Sequence, residues 1–122
     1  MATFTRFEDI VAWQKAKRAA HGVYEVTSAG RFAGDYALPD QIRRACLSVM
    51  ANIAEGHGRR SNKEFATFLN FAHGSVAETQ SHLHIARELG YVSDQDFTAL
   101  YGELDEVCRM IMKLSQHLRT TA

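Results

Sequence analysis

Apolar residues recur along most of this chain at alternating steps of three and four, the spacing that gathers them on one face of an α-helix. In the first such stretch Trp13, Ala16, Ala20, Val23 and Thr27 form a stripe, with Lys15, Lys17 and Arg18 on the other faces. The stretch opens on Thr5-Arg6-Phe7-Glu8, which reads as a capping box: threonine and glutamate side chains satisfy each other's free backbone amides. This first helix is expected to run to about Ser28, where Gly30 and Gly34 break the pattern. A second helix is expected from Pro39, since a first turn tolerates a residue without an amide hydrogen. Its stripe is Ile42, Ala45, Cys46, Val49 and Ile53, with Gly56 and Gly58 as its stop.

A second capping box, Ser61-Asn62-Lys63-Glu64, follows within a few residues, a link short enough to require a tight antiparallel turn. The third helix carries Phe65, Leu69, Ala72, Val76, Thr79, Leu83 and Ala86 without a missed step and stops at Gly90. Ser93 with Asp94 and Asp96 makes the next helix start, favoured by capping and by the positive end of the helix dipole. Phe97, Leu100, Leu104, Val107, Ile111, Leu114 and Leu118 then step by three and four to the end. Sustained alternation of this kind belongs to helices crossing at shallow angles. The expected fold is all-α: an antiparallel up-down-up-down four-helix bundle, oligomeric, with residues 1–122 as one domain.

The expectation of an oligomer comes from apolar residues outside the main stripes. The third helix has a second line through Phe68, Phe71, Ile85 and Leu89, and the fourth places Tyr101, Cys108 and Met112 beside its stripe. One reading is a widened core face. The other, which the residues favour when taken together, is a subunit contact. Opposite the core of the second helix stand Arg44, Ser48, Ala51 and Glu55, where small residues permit close approach by another helix or simply form a short solvated face.

Composition narrows the picture without naming a role. The chain has 122 residues, 46% of them hydrophobic, enough for one continuous core. No apolar run approaches the roughly 20 residues of a membrane span, and the N-terminus has acidic residues where a leader has a basic start. A soluble, cytoplasmic protein is expected. Cys46 and Cys108 lie far apart with no second ligand at metal spacing and read as small core residues in a reducing compartment. A paired-metal bundle requires Glu-x-x-His on two helices, and the chain contains none. His82 and His84 point to different faces of one helix. No nucleophile motif or cofactor fingerprint occurs, so no catalytic residue, metal or cofactor is expected.

Net charge is zero but unevenly spread: residues 1–63 hold ten Lys or Arg against six Asp or Glu, and residues 64–122 hold four against eight. Arg43, Arg44, Arg59, Arg60 and Lys63 are the residues available to form a basic patch. In Gly56-His57-Gly58-Arg59-Arg60-Ser61, glycine-permitted amides and two guanidinium groups meet a helix start, an arrangement able to hold a phosphate. The reading the residues favour is simpler, a glycine stop and a serine cap with solvated arginines; the anion site is the second reading. Arg43, Arg59, Arg60 and Lys63 are therefore the candidate nucleic-acid or anion contacts.

Several segments together resemble the bacterial four-helix-bundle proteins named for an open reading frame in 23S rRNA intervening sequences. They are Phe7-Glu8-Asp9-Ile10 with Ala12-Trp13-Gln14-Lys15-Ala16, Gln41-Ile42-Arg43-Arg44-Ala45, and Asn52-Ile53-Ala54-Glu55-Gly56. Gly58-Arg59, Glu64-Phe65, Phe68-Leu69, Gly74-Ser75 and Leu89-Gly90-Tyr91 extend the match over nearly the whole chain. Pro39 departs from it, standing where the family often has a small hydroxyl residue. The resemblance implies a cytoplasmic homopentamer without an assigned activity. A related branch, the accessory variability proteins of diversity-generating retroelements, is similar and implies binding of a reverse transcriptase and nucleic acid, although this chain is much less basic. The shared polar residues Arg44, Asn52 and Glu55 are expected to specify assembly through buried hydrogen bonds or an intersubunit ion pair. The leading expectation is thus a non-catalytic scaffold or adaptor with an RNA or protein partner. The alternative is an enzyme or small-ligand carrier whose site lies in an intersubunit cleft.

Overall fold

The computed structural model describes residues 4–120, within which every regular element is helical. The ends of the expected 1–122 domain, residues 1–3 and 121–122, lie outside the described residues. A single 3-10 turn at Phe7–Asp9 precedes α1 (Val11–Thr27), α2 (Gly30–Ala33), α3 (Leu38–His57), α4 (Asn62–Glu88) and α5 (Asp94–Thr120). The four long helices close a ring of contacts, with α3 packed on α1 and α4, and α5 packed on α4 and α1. Neighbours run antiparallel: Lys15 pairs with Glu106 while Gly22 lies against Leu100, and Ser48 meets Ser75 while Gly56 meets Phe65. The core on their inner faces contains Val23, Ile42, Val49, Ile53, Leu69, Val76, Leu83, Leu104, Val107 and Ile111, all nearly or fully buried.

The expected start of the first helix is corrected. The helix begins at Val11, and the threonine box does not form: Arg6 caps the 3-10 turn without a side-chain bond, and Ile10 is extended. Burial decides this, because Ile10 is 1% exposed and Phe7 packs edge-on against Trp13, contacts a continuous helix would not give. Trp13 itself sits at the rim, while Ala12, Ala16, Ala19 and Ala20 bring α1 close to its neighbours.

The glycine-broken segment after α1 holds an additional element. Gly30 takes φ +57°, which a residue without Cβ adopts freely, and the chain makes one helical turn that buries the ring of Phe32 completely. Asp35 then supplies the cap that Ala37 cannot: its Oδ1 accepts from the amides of Ala37 and Leu38 at 2.9 and 2.8 Å. The other oxygen accepts from the Tyr91 hydroxyl at 2.7 Å, and the Tyr91 ring lies 5.1 Å from that of Phe32. Tyr91 follows Gly90 (φ +74°), where bonds from Tyr91 to Ala86 and from Gly90 to Arg87 close α4. One contact thus ties both connections at this end of the bundle together.

The Leu38 amide, then the Tyr91 hydroxyl and the Ala37 amide, hold the Asp35 carboxyl below its usual range. A depressed carboxyl stabilises the fold above its unfolded value and loses that contribution as pH falls through the folded one. Asp35→Asn should therefore melt lower than wild type at neutral pH, and the gap should close below about pH 4. Melting curves across pH 2 to 7 would check this; a gap independent of pH would remove the carboxylate from the account.

Candidate functional site

Arg43 lies in the second turn of α3 and is occupied by the end of α1. Its Nε donates to the Thr27 hydroxyl at 2.8 Å, an NH2 group donates to Ser28 at 3.1 Å, and the guanidinium stacks 4.7 Å from the Tyr24 ring centre. Thr27 in turn donates to the Val23 carbonyl at 2.7 Å. Arg43 therefore fastens α1 to α3. Arg59 follows the last turn of α3, so most of that helix, about 30 Å long, separates the two. The structure does not gather Arg43 with Arg59, Arg60 and Lys63.

The turn between α3 and α4 is a helix stop at Gly58 followed by a serine cap. Gly56 is inside the helix and buried, because Phe65 and Phe68 of α4 press onto its Cα; a Cβ there would stand 2.8 Å from the Cβ of Phe68. Gly58 ends the helix with φ −78°, so no left-handed residue is used. His57 bonds the Phe4 carbonyl at 3.0 Å, while Arg59 pairs with Glu55 and covers the Phe68 ring at 4.4 Å. Ser61 caps α4 by accepting from the Glu64 amide at 3.1 Å, as the capping pattern implies. Arg60 and Lys63 remain exposed on this turn.

The three polar residues expected to specify assembly make no bond to another helix among the described residues. Arg44 pairs with Asp40 one turn away, Glu55 with Arg59, and the Asn52 amide donates to the Ser48 carbonyl and hydroxyl at 2.8 and 3.0 Å. Ser48 is the residue that crosses, accepting from Ser75 of α4 at 2.9 Å.

Burial, with Glu103 nearby, pushes the Cys46 thiol up to about 12; burial and then Asp105 raise Cys108. Both thiols stay protonated at neutral pH and are poor nucleophiles. His84 stacks edge-on to Phe97 and Tyr101, with ring centres 5.1 and 5.3 Å away. Among the described residues no three His, Cys, Asp or Glu side chains are placed to share a metal ion, and no helix is long and apolar enough to cross a membrane.

One surface depression was not foreseen from the sequence. It lies between α4 and α5, encloses about 680 Å³, and is lined by Asn70, His73, Arg109, Lys113, Gln116 and Arg119 among others, with no carboxylate. Totals over the second half of the chain, which is net acidic, hid these cations. The available signal was local: after Glu106 no acidic side chain occurs to the end of the sequence.

Fold and surface together define an all-helical bundle of the kind built around a structural core, with its polar features on the outside. The chain belongs to the 23S rRNA-intervening sequence protein family, whose model matches residues 8–113. Among solved structures it is similar to a protein of unknown function from the S23 ribosomal protein family of Bacteroides thetaiotaomicron VPI-5482. That likeness has a TM-score of 0.77 at 20% identity and covers 85% of this chain and 97% of the other. Comparison with curated proteins returned no match.

Proposed function

We propose that this chain is a non-catalytic, cytoplasmic scaffold or adaptor that works as a homo-oligomer, a pentamer by the family resemblance, and presents its outer surface to a nucleic acid or protein. One observation carries the reading. On α4, opposite the core, Phe71, Ile85 and Leu89 are 53%, 47% and 44% exposed. With Gly74 they fall within about 60° of one another on the helix. Single exposed apolar residues are ordinary, but an aligned stripe is the form a helix–helix subunit contact takes. Arg44 and Glu55 on the outer face of α3 offer the polar part of such a contact, and the small Ala51 between them permits close approach.

Gly74 supplies a test with opposite signs for the two alternatives. Nothing stands within 4 Å of a Cβ placed there, so in a free protomer Gly74→Ala should stabilise by about 0.5–1 kcal/mol through helix propensity. In an assembly that packs a second helix on this stripe, the same change should lower the mass seen by light scattering. Phe71→Glu should dissociate the oligomer while leaving its helical circular dichroism intact. A wild-type chain that scatters as a monomer at micromolar concentration would refute the oligomeric reading.

A further inference from the structure

Most basic side chains in this protein are already occupied. Arg6, Lys15, Arg44 and Arg59 each pair with a carboxylate, Arg43 bonds Thr27 and Ser28, and Lys17, Arg31 and Arg87 lie over aromatic rings. Arg18, Arg60, Lys63, Arg109, Lys113 and Arg119 have no such partner among the described residues, and Arg109, Lys113 and Arg119 stand out because they lie together. They form no ion pair or hydrogen bond with a described residue, yet they share the groove between α4 and α5. Lys63 continues the row, since a second hollow brings it together with Arg119, Thr67 and Leu118. Like charges one helical turn apart repel; the lining holds no carboxylate to offset them, although Glu106, one turn before Arg109 and outside the groove, feels the Arg109 charge.

The groove's shape and lining restrict what would neutralise that row. From Arg109 to Arg119 it follows α5 for about 15 Å, at 1.5 Å per residue, so it suits an extended polyanion better than a single small ion. Packed helices stand about 8–10 Å apart; the groove between them admits one strand, whereas a duplex, wider than its own major groove of about 12 Å, would rest on the rim. No Phe, Tyr or Trp lines it, so apart from the small His73 imidazole it offers no platform for stacking bases. His73, Asn70 and Gln116 add hydrogen-bonding groups to the lining.

We propose that the α4/α5 groove binds the phosphodiester backbone of single-stranded nucleic acid without regard to sequence, with Arg109, Lys113 and Arg119 contacting successive phosphates. This rests on the scaffold reading and replaces the α3–α4 turn as the principal contact surface. Phosphate contacts position a strand and carry no sequence information by themselves, which matches a lining able to reach phosphates but not to stack bases.

The test is fluorescence anisotropy with a short labelled single-stranded RNA of mixed sequence, titrated with the full chain at about 50 mM and about 200 mM salt. Three proteins are compared: wild type, the triple variant Arg109→Gln, Lys113→Gln, Arg119→Gln, and Arg59→Gln with Arg60→Gln. Light-scattering mass and circular dichroism are recorded on each. The triple variant should bind about tenfold or more weakly. Its slope of log affinity against log salt should be shallower by about 2, because each single-strand phosphate contact contributes about 0.7. The Arg59 and Arg60 variant should stay within about threefold of wild type, and a scrambled sequence should bind as well as the original. Absence of wild-type binding at low salt overturns the proposal, while an oligomeric mass in the same sample leaves the scaffold reading standing. If the Arg59 and Arg60 variant loses binding and the triple variant keeps it, the site is the α3–α4 turn. If the triple variant changes mass, the groove is a subunit contact and the proposal falls.

Discussion

Phe32→Ala is expected to lower the unfolding free energy by about 3–5 kcal/mol, the range for emptying a buried aromatic site. Phe32 belongs to a helix of only four residues, and its ring is fully buried against Tyr91. So short a helix has no stability of its own, and the ring is what holds it to the bundle. Its loss also frees the neighbouring Tyr91, whose hydroxyl anchors the Asp35 cap at the head of α3. For a chain of this length the melting temperature should fall by roughly 10–25 °C. Urea unfolding followed by circular dichroism checks the free energy, with a lower midpoint at unchanged slope. A loss below about 1 kcal/mol would mean that the ring is not packed in solution and that the connection between α1 and α3 is loosely held.

Gly56→Val should destabilise the protein by about 2–3 kcal/mol, and its sign matters as much as its size. Were Gly56 merely the end of a helix, a larger residue would cost little, and within a helix replacing glycine would be favourable by up to about 1 kcal/mol. Here the added Cβ would stand 2.8 Å from the Cβ of Phe68, 2.9 Å from Cδ1 of Phe65 and 3.2 Å from the Phe65 carbonyl oxygen. A Cβ and a backbone oxygen cannot swing away as a side-chain tip does, so α3 and α4 must separate, with the overpacking cost that follows. Gly22 provides the comparison: its Cβ would meet only the Leu100 side chain, whose terminal methyl can rotate clear. Gly22→Ala should therefore be far milder, and the pair of melting temperatures separates backbone crowding from any general effect of removing a glycine.

The four long helices were legible because each carries an uninterrupted stripe and most have a chemically marked end. Ser61 caps α4 by bonding the Glu64 amide, Ser93 bonds the Asp96 amide at 3.0 Å, and Pro39 sits in the first turn of α3. Where local chemistry and burial compete, the local signal misled. Thr5 and Glu8 have the spacing of a capping box, but burying Ile10 and stacking Phe7 on Trp13 outweigh one cap. Phe32 stood between two glycines with no periodic partner, and packing of its helix on α1 and α3, with Tyr91 arriving from far along the chain, makes it a core residue.

The candidate contact residues divide in the same way. Arg43, Arg59, Arg60 and Lys63 stood out as cations of the net-basic first half of the chain, and the fold gives Arg43 to Thr27 and Ser28 and Arg59 to Glu55. The cations that do share a groove come from α5 and face α4, so their clustering depends on how two helices align.

By itself the amino-acid sequence determined the helical class, the bounds of α3, α4 and α5 within a few residues, most of the core, and the family. Each of these rests on patterns that repeat within one element, where 3.6-residue periodicity and end-capping act over a few positions. The tertiary structure decided the start of α1, the burial of Phe32, the role of Gly56 as a crossing point, and which arginines stay free of partners. Each of those depends on a contact between residues distant in sequence, and such contacts exist only once the helices have packed.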